Sequence, residues 1–339
     1  MKHNRYINSL RIDSLKGVRN LLLENFSAIN LITGPNASGK STVLDAVDLL
    51  SNPKDPLQFI QVAKTLRIPF HLLFDKNEIC PRIRISGELL EKTYYTELIS
   101  CENITDMSFR GYHHFGIPKD GILTNHTNAI NLAFADFNPE NLSTAFIGVR
   151  RIPDLSDSVS LEMIAKDKTV KAKVLTFLSL FDPRFSDIYS PDFQNTYITH
   201  EAYGNVTADF FSHGIRKILK IAEVMSEFHH GILLIDDFES HLSVQTLYEA
   251  VSLIHSLATE KQIQLFITTH SQETIDEWLD LLNFHNDLSM CKIIRLKSDG
   301  IQSSSIIFAG KEAYELRMEK ETDFRYEYPK KGEPNERIF

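Results

Sequence analysis

Residues 34–41 read Gly-Pro-Asn-Ala-Ser-Gly-Lys-Ser. Glycine, four residues, then Gly-Lys-Ser is the spacing of a phosphate-binding loop. The apolar run Ala28-Ile29-Asn30-Leu31-Ile32 precedes it and reads as a short buried strand. Thr42 onward reads as a helix, with Val43, Leu44, Val47 and Leu50 on one face. Strand, glycine-rich turn and helix in that order aim backbone N–H groups and a helix N-terminus at an anion. Gly34 and Gly39 let the backbone turn tightly and approach phosphates, with Pro35, Asn36, Ala37 and Ser38 between them. The Lys40 ammonium is expected at the β- and γ-phosphates and the Ser41 hydroxyl on Mg²⁺. Gly34 through Thr42 are therefore the expected residues for a nucleoside triphosphate, ATP, with magnesium.

Two further stretches share that logic. Residues 231–237, Gly-Ile-Leu-Leu-Ile-Asp-Asp, describe a central parallel strand with carboxylates at its C-terminal edge, where ligands bind in α/β sheets. Asp236 is the expected metal partner, and Asp237 or Glu239 the group that polarises the attacking water. Residues 263–271, Ile-Gln-Leu-Phe-Ile-Thr-Thr-His-Ser, again end a buried strand in polar residues, with His270 expected near the γ-phosphate.

The chain has 339 residues, enough for one large domain or two ordinary ones, and its 42% hydrophobic and 24% charged content is that of a soluble globular class. No apolar run approaches transmembrane length. The basic start Met1-Lys2-His3-Asn4-Arg5 leads into no apolar segment, so no secretory signal is expected. Cys80, Cys101 and Cys291 are widely spaced and form no C-x-x-C pair, which argues against a disulfide framework or a zinc site and fits the cytoplasm. The net charge of −9 lowers the expectation of non-specific DNA wrapping, which usually brings a basic surplus.

Residues 6–12 alternate as an edge strand does, Lys16-Gly17 reads as a turn, and residues 52–57 break the helix after the phosphate loop. Residues 66–100 look like more strands, including Arg82 to Ser86. Residues 101–143, rich in Asn, His, Gly and Thr, read as loops of an insertion. His113, His114 and His126 fall there without an accompanying Cys or carboxylate pattern, so solvated loops are expected over a metal site. Ala145 to Val149 reads as a strand. Residues 160–181 are helical in pattern with a charged face that includes Lys166, Lys168, Lys171 and Lys173. From about 311 the chain reads as a short charged helix and then a loose tail.

These motifs together resemble the ATP-binding-cassette heads of the RecF, structural-maintenance-of-chromosomes and overcoming-lysogenisation-defect ATPases. In those families the order is phosphate loop, long insertion, signature loop, acidic strand, switch histidine. Here Lys40 and Asp236 lie 196 residues apart, and His270 follows Asp236 by 34. The signature candidate is Phe211-Ser212-His213-Gly214-Ile215-Arg216-Lys217, opening a helix. Leu180-Phe181-Asp182-Pro183-Arg184 and the His200 to Gly204 run resemble the overcoming-lysogenisation-defect branch most. Three departures stand out. The transporter-type Leu-Ser-Gly-Gly-Gln is replaced by Ser212-His213-Gly214. Glu239-Ser240-His241-Leu242-Ser243 replaces the family's Glu-Asn-Gly-Leu-His run. The family's catalytic glutamate is Asp237, one methylene shorter, and a misplacement of ~1 Å can cost about a hundredfold in rate.

The resemblance implies an α/β fold of the P-loop NTPase type: an ABC-type head with a mixed sheet, helices, an antiparallel β lobe and a helical insertion. The expected division is a composite head over 1–310 (N-terminal lobe 1–75, insertion and arm 76–190, signature, acidic strand and switch histidine 191–310) and a charged tail over 311–339. It implies that two copies sandwich ATP, with Ser212 and Gly214 of one facing Lys40, Ser41, Asp236 and His270 of the other. After residue 310 only 29 residues follow, too few for the Toprim nuclease domain that relatives often carry, so a stand-alone ATPase head is expected. Three roles follow: a switch controlling a separate effector such as a nuclease or toxin, in bacterial anti-phage defence; a DNA-repair or DNA-maintenance ATPase binding DNA directly; or a membrane-transporter motor. The missing transporter signature disfavours the last. The acidic balance and the lack of sustained heptads favour the first over the second.

Overall fold

The phosphate-loop helix lies between two sheets, and the chain order explains why. The structure is a computed structural model that describes residues 5–51, 82–100, 111–116, 123–127, 143–147, 161–191, 195–298 and 302–326. Strands β1 (Ile7–Leu15) and β2 (Val18–Glu24) form a hairpin whose two turn residues, Lys16 and Gly17, both have positive φ (49° and 90°), the backbone that a two-residue hairpin needs. Then come β3 (Ile29–Thr33) and α1 (Lys40–Ser51). The chain returns to β1 in a meander of β4 (Arg82–Leu89), β5 (Lys92–Ser100), β6 (Gly111–Gly116) and β7 (Leu123–Thr127), giving a six-stranded antiparallel sheet in the order β2-β1-β4-β5-β6-β7.

This sheet changes three expectations. β1 is interior, paired to both β2 and β4, so its alternation marks a two-faced sheet strand and not an edge. Residues 111–116 and 123–127, expected as loops, are strands, with Tyr112 opposite His126; their side chains lie outside the described residues. The antiparallel sheet also draws strands from both sides of the expected division at 75/76.

The second sheet begins with β3 and β8 (Ser143–Ile147). Next come α2 (Glu162–Lys166) and α3 (Lys168–Ser179), separated by Asp167, whose carboxylate accepts the Thr169 and Val170 N–H groups and starts the second helix afresh. Three of the four lysines of this region are paired with acids: Lys166 with Glu162, Lys171 with Asp187, Lys173 with Glu260. A small sheet of β9 (Phe185–Tyr189), β10 (Tyr197–His200) and β11 (Gly204–Val206) leads into α4 (His213–Glu227). There follow β12 (Gly231–Ile235), α5 (Val244–Glu260), β13 (Ile263–Thr268), α6 (Gln272–Phe284), β14 (Cys291–Ser298), β15 (Ser303–Ala309) and α7 (Gly310–Lys320). The sheet order is β15-β14-β3-β13-β12-β8, parallel except for β15.

β3, β12 and β13 are buried along their whole length, as central parallel strands covered on both faces should be. Their residues alternate between two cores. Ile32, Leu234, Phe266 and Ile294 pack with α1 and the antiparallel sheet. Leu31, Leu233, Ile235, Leu265 and Ile267 pack with α4, α5 and α6.

One polar staple joins the two sheets. Gln264 interrupts an apolar strand and is fully buried. Its Oε1 accepts the Tyr6 and Ile7 N–H groups, and its Nε2 donates to the Ile7 and Ser27 carbonyls, all at 2.9 Å. Asn30 locks the same corner, accepting from Ser27 N (2.8 Å) and donating to the Ser27 and Leu265 carbonyls. Gln264→Leu keeps the volume but orphans two buried donors and two acceptors. It is expected to lower unfolding free energy by about 3 kcal/mol, read by denaturant titration.

The end of the chain differs from the expected loose tail. Arg317 forms a bidentate pair with Asp276 at 2.8 Å, and Phe324 is fully buried with its N–H on Gln272 Oε1. An aromatic side chain with a cavity to fill docks the segment through residue 326; residues 327–339 lie outside the described residues.

Candidate functional site

The phosphate loop is shaped by what a side chain would hit. Gly34 has φ 139°, and a Cβ there would stand 2.4 Å from the Leu296 carbonyl oxygen. Gly39 has φ 98°, and its Cβ would stand 2.5 Å from Val18 Cγ2. Both positions thus need glycine for conformation and for space. Pro35, Asn36 and Ala37 are exposed at the mouth, while Ser38, Lys40 and Thr42 are buried. Lys40 Nζ donates to the Gly34 and Pro35 carbonyls, both at 2.8 Å. Burial pushes its pKa down to about 8, against the opposing pull of Asp237, Asp236 and Glu239. The hydroxyls of Ser38 and Thr33 are buried without a hydrogen-bond partner among the described residues. A buried cation beside orphaned hydroxyls and a glycine cradle fits a polyanion.

The acidic strand meets the loop. Asp236 is 2% exposed; its Oδ1 accepts from Ser41 Oγ at 3.0 Å and from Thr268 Oγ1 at 2.6 Å. Burial raises the Asp236 pKa, opposed by those two hydrogen bonds. A hydroxyl and a carboxylate held side by side at the loop are the oxygen donors a magnesium ion takes. Thr268, given no role in the sequence, organises this corner: its hydroxyl also accepts the Asp237 N–H at 2.8 Å, and its carbonyl accepts the Phe238 N–H.

Asp237 and His270 come together at the rim. His270 Nε2 lies 3.5 Å from Asp237 Oδ1, with side-chain exposures of 42% and 39%. Glu239 is differently engaged. Its Oε2 accepts from Thr269 Oγ1 at 2.7 Å and its Oε1 from the His270 N–H at 2.6 Å. Both oxygens are spent on holding residues 269–270, which leaves Asp237 as the carboxylate turned to solvent beside His270.

The signature candidate packs behind this turn. Ser212 is the exposed N-cap of the 15-residue α4, and its hydroxyl does not cap its own helix. Gly214 is buried, and a Cβ there would stand 2.4 Å from the His241 carbonyl oxygen. Lys217, one turn further, reaches the turn after β12, a contact that the sequence did not announce. Upstream, the two runs resembling the overcoming-lysogenisation-defect branch meet: His200 Nε2 lies 3.1 Å from Asp182 Oδ2, while His200 Nδ1 accepts the Ala202 and Tyr203 N–H groups. Among the described residues no helix is long and apolar enough to cross a membrane.

Known proteins share both the sequence pattern and the fold. A family sequence model described as "AAA domain, putative AbiEii toxin, Type IV TA system" matches residues 29–276. A curated protein of Helicobacter pylori named "ATP/GTP phosphatase" is 21% identical over 345 residues, covering 86% of this chain and 93% of that one. The structure is similar to the SMC head domain of Thermotoga maritima, with TM-score 0.51 and 13% identity over 90% of this chain and 99% of that one. It is also similar to an SMC head bound to the C-terminal winged-helix domain of ScpA, with TM-score 0.56 and 15% identity over 91% of this chain and 99% of that one. A third likeness, with TM-score 0.57 and 11% identity over 94% of this chain and all of that one, is the Pyrococcus furiosus SMC head bound to the C-terminal domain of ScpA.

Proposed function

The chain belongs to this AAA-domain family, with the fold of an ABC-type P-loop ATPase, and from that premise we propose that it is an ATP-gated switch whose two copies close on nucleotide to control a separate effector protein. Lys40 and the backbone N–H groups of Gly34 and residues 36–42 hold the triphosphate, and Ser41 and Asp236 would hold magnesium. Magnesium, when bound, neutralises charge on the β- and γ-phosphates. Asp237 takes a proton from the water that attacks the γ-phosphorus as the bond to ADP breaks, with His270 beside both. Glu239 acts through His270 and Thr269, as a positioning residue. Hydrolysis is slow, because an aspartate stands where the resembling families carry the longer glutamate.

The observation that carries the two-copy reading is Ser212. A hydroxyl at the N-cap normally satisfies its own helix; this one does not, and it stands exposed where α4 presents its free N–H groups and positive dipole end. Such a terminus suits a γ-phosphate brought by a second copy. The family description, which names the AAA domain as a putative toxin of a type IV toxin–antitoxin system, supports a role in such a two-component system. The ScpA-bound SMC heads support a protein partner.

The test uses the slowed variant Asp237→Asn with ATP and magnesium in light scattering. The expected result is a dimer with ATP and a monomer without, and Ser212→Arg is expected to abolish the dimer while ATP affinity, measured at protein concentrations where both proteins are monomeric, stays within about twofold. A monomer at saturating ATP overturns the sandwich. Tight ATP-dependent binding of duplex DNA by the isolated protein would instead support the DNA-maintenance alternative.

A further inference from the structure

We propose that Lys217 is a positioning residue: it fixes the backbone of Asp237 and ties that carboxylate to the signature helix. Lys217 projects from α4 and is 5% exposed. Its ammonium has three protons to donate, and three short acceptors surround it: the Asp237 carbonyl at 2.7 Å, the Phe238 carbonyl at 2.9 Å and Ser240 Oγ at 2.7 Å. The Ser240 carbonyl follows at 3.5 Å.

Asp237 is thereby held at both ends. Its N–H is on Thr268 Oγ1 and its C=O is on Lys217 Nζ. Its φ is 50°, a left-handed conformation that costs an L-residue free energy and persists where neighbours enforce it. With both peptide groups fixed, only the side-chain torsions of Asp237 remain free to aim the carboxylate. The rest of the turn is bracketed in the same manner. Glu239 is bonded to residues 269–270 on one side, and the His241 carbonyl lies against Gly214 of α4 on the other.

Burying a lysine to hold carbonyls is costly. Burial pushes its pKa down to about 8, while Glu239, Asp237 and Asp236 support the charged form. The charge has a consequence beyond packing. Lys217 is one helical turn from Gly214, so any shift of α4 when its N-terminus receives a ligand pulls directly on the carbonyl of Asp237. Occupancy at the signature end is thus coupled to the geometry of the water-facing carboxylate through one side chain.

The inference rests on the reading of Asp237 as the water-activating group, and the experiment separates the two. Lys217→Met keeps the length and removes the three donors. The measurements are single-turnover hydrolysis, equilibrium ATP binding and thermal unfolding, for wild type and variant. The expected result is hydrolysis slower by about ten- to a hundredfold with the ATP Kd changed by less than about threefold. Unchanged hydrolysis overturns the inference, as does a loss of rate that merely follows weakened binding. Should Lys217→Met fail to fold, Ser240→Ala removes one acceptor at a half-buried position. It is expected to slow hydrolysis several-fold at unchanged Kd, and a wild-type rate there overturns the inference equally. A wild-type protein that neither binds nor hydrolyses ATP refutes the underlying site reading.

Discussion

Lys40→Ala lowers affinity for ATP with magnesium by about a thousandfold, roughly 4 kcal/mol, and leaves the fold intact. The ammonium donates to the Gly34 and Pro35 carbonyls of its own loop. Its burial is what makes it effective: a charge already stripped of water loses little more on meeting phosphate. The same burial makes it titrate near neutrality. With a folded pKa of about 8 against the ordinary 10.5, the cost of burying the charged form is fully present below pH 8. Unliganded stability therefore rises between pH 8 and 10.5, as the folded state sheds the proton before the unfolded state does. ATP affinity moves the opposite way, because phosphate needs the ammonium, and it falls as pH rises through 8. Isothermal titration across that window should show the decline in wild type and none in Lys40→Ala. Lys217 adds to the stability slope in both proteins, so the difference between the two curves isolates Lys40. An affinity for ATP in Lys40→Ala within tenfold of wild type would remove the phosphate-loop reading.

The parts of the site legible in the sequence are those where one local rule decides. Gly34 and Gly39 are needed by backbone geometry, and the runs before Asp236 and Thr268 are apolar because both faces of those strands are covered. Gln264 breaks such a run, but its four partners lie more than 200 residues away, so no local rule reveals its role. The β4–β5 hairpin was harder to read. Its turn is Leu90-Glu91, both at positive φ, so the Gly or Asn that usually marks such a turn is missing. The backbone is held from outside, through the Leu90 N–H on the Tyr6 carbonyl. Glu239 depends on distant partners in the same way. Position after an acidic strand suggests catalysis, whereas its two oxygens are taken by residues 30 and 31 positions further along. Lys217 sits in plain view in the signature run, and nothing local distinguishes it from the exposed basic residues of other helices.

Asp237→Asn abolishes the remaining hydrolysis, by about a thousandfold, without disturbing nucleotide binding. Asparagine keeps the shape and tolerates φ 50° as well as aspartate does, so the variant isolates proton acceptance from folding. Asp237→Glu is the informative counterpart. The left-handed backbone disfavours a longer side chain, and a loss of about 1 kcal/mol in stability is expected. The carboxylate, however, gains the methylene that the resembling families possess, and the half-exposed rim beside His270 leaves room for it. Hydrolysis is then expected to accelerate by about ten- to a hundredfold. Opposite signs on stability and rate at one position would mean that the backbone demanded by the Thr268 and Lys217 contacts selects a short acid here at the expense of turnover. A switch that holds its closed state while nucleotide lasts is served by that choice. Phosphate release in single turnovers, with thermal unfolding of the same samples, measures both. If Asp237→Asn hydrolyses at the wild-type rate and Asp237→Glu is no faster, another group activates the water.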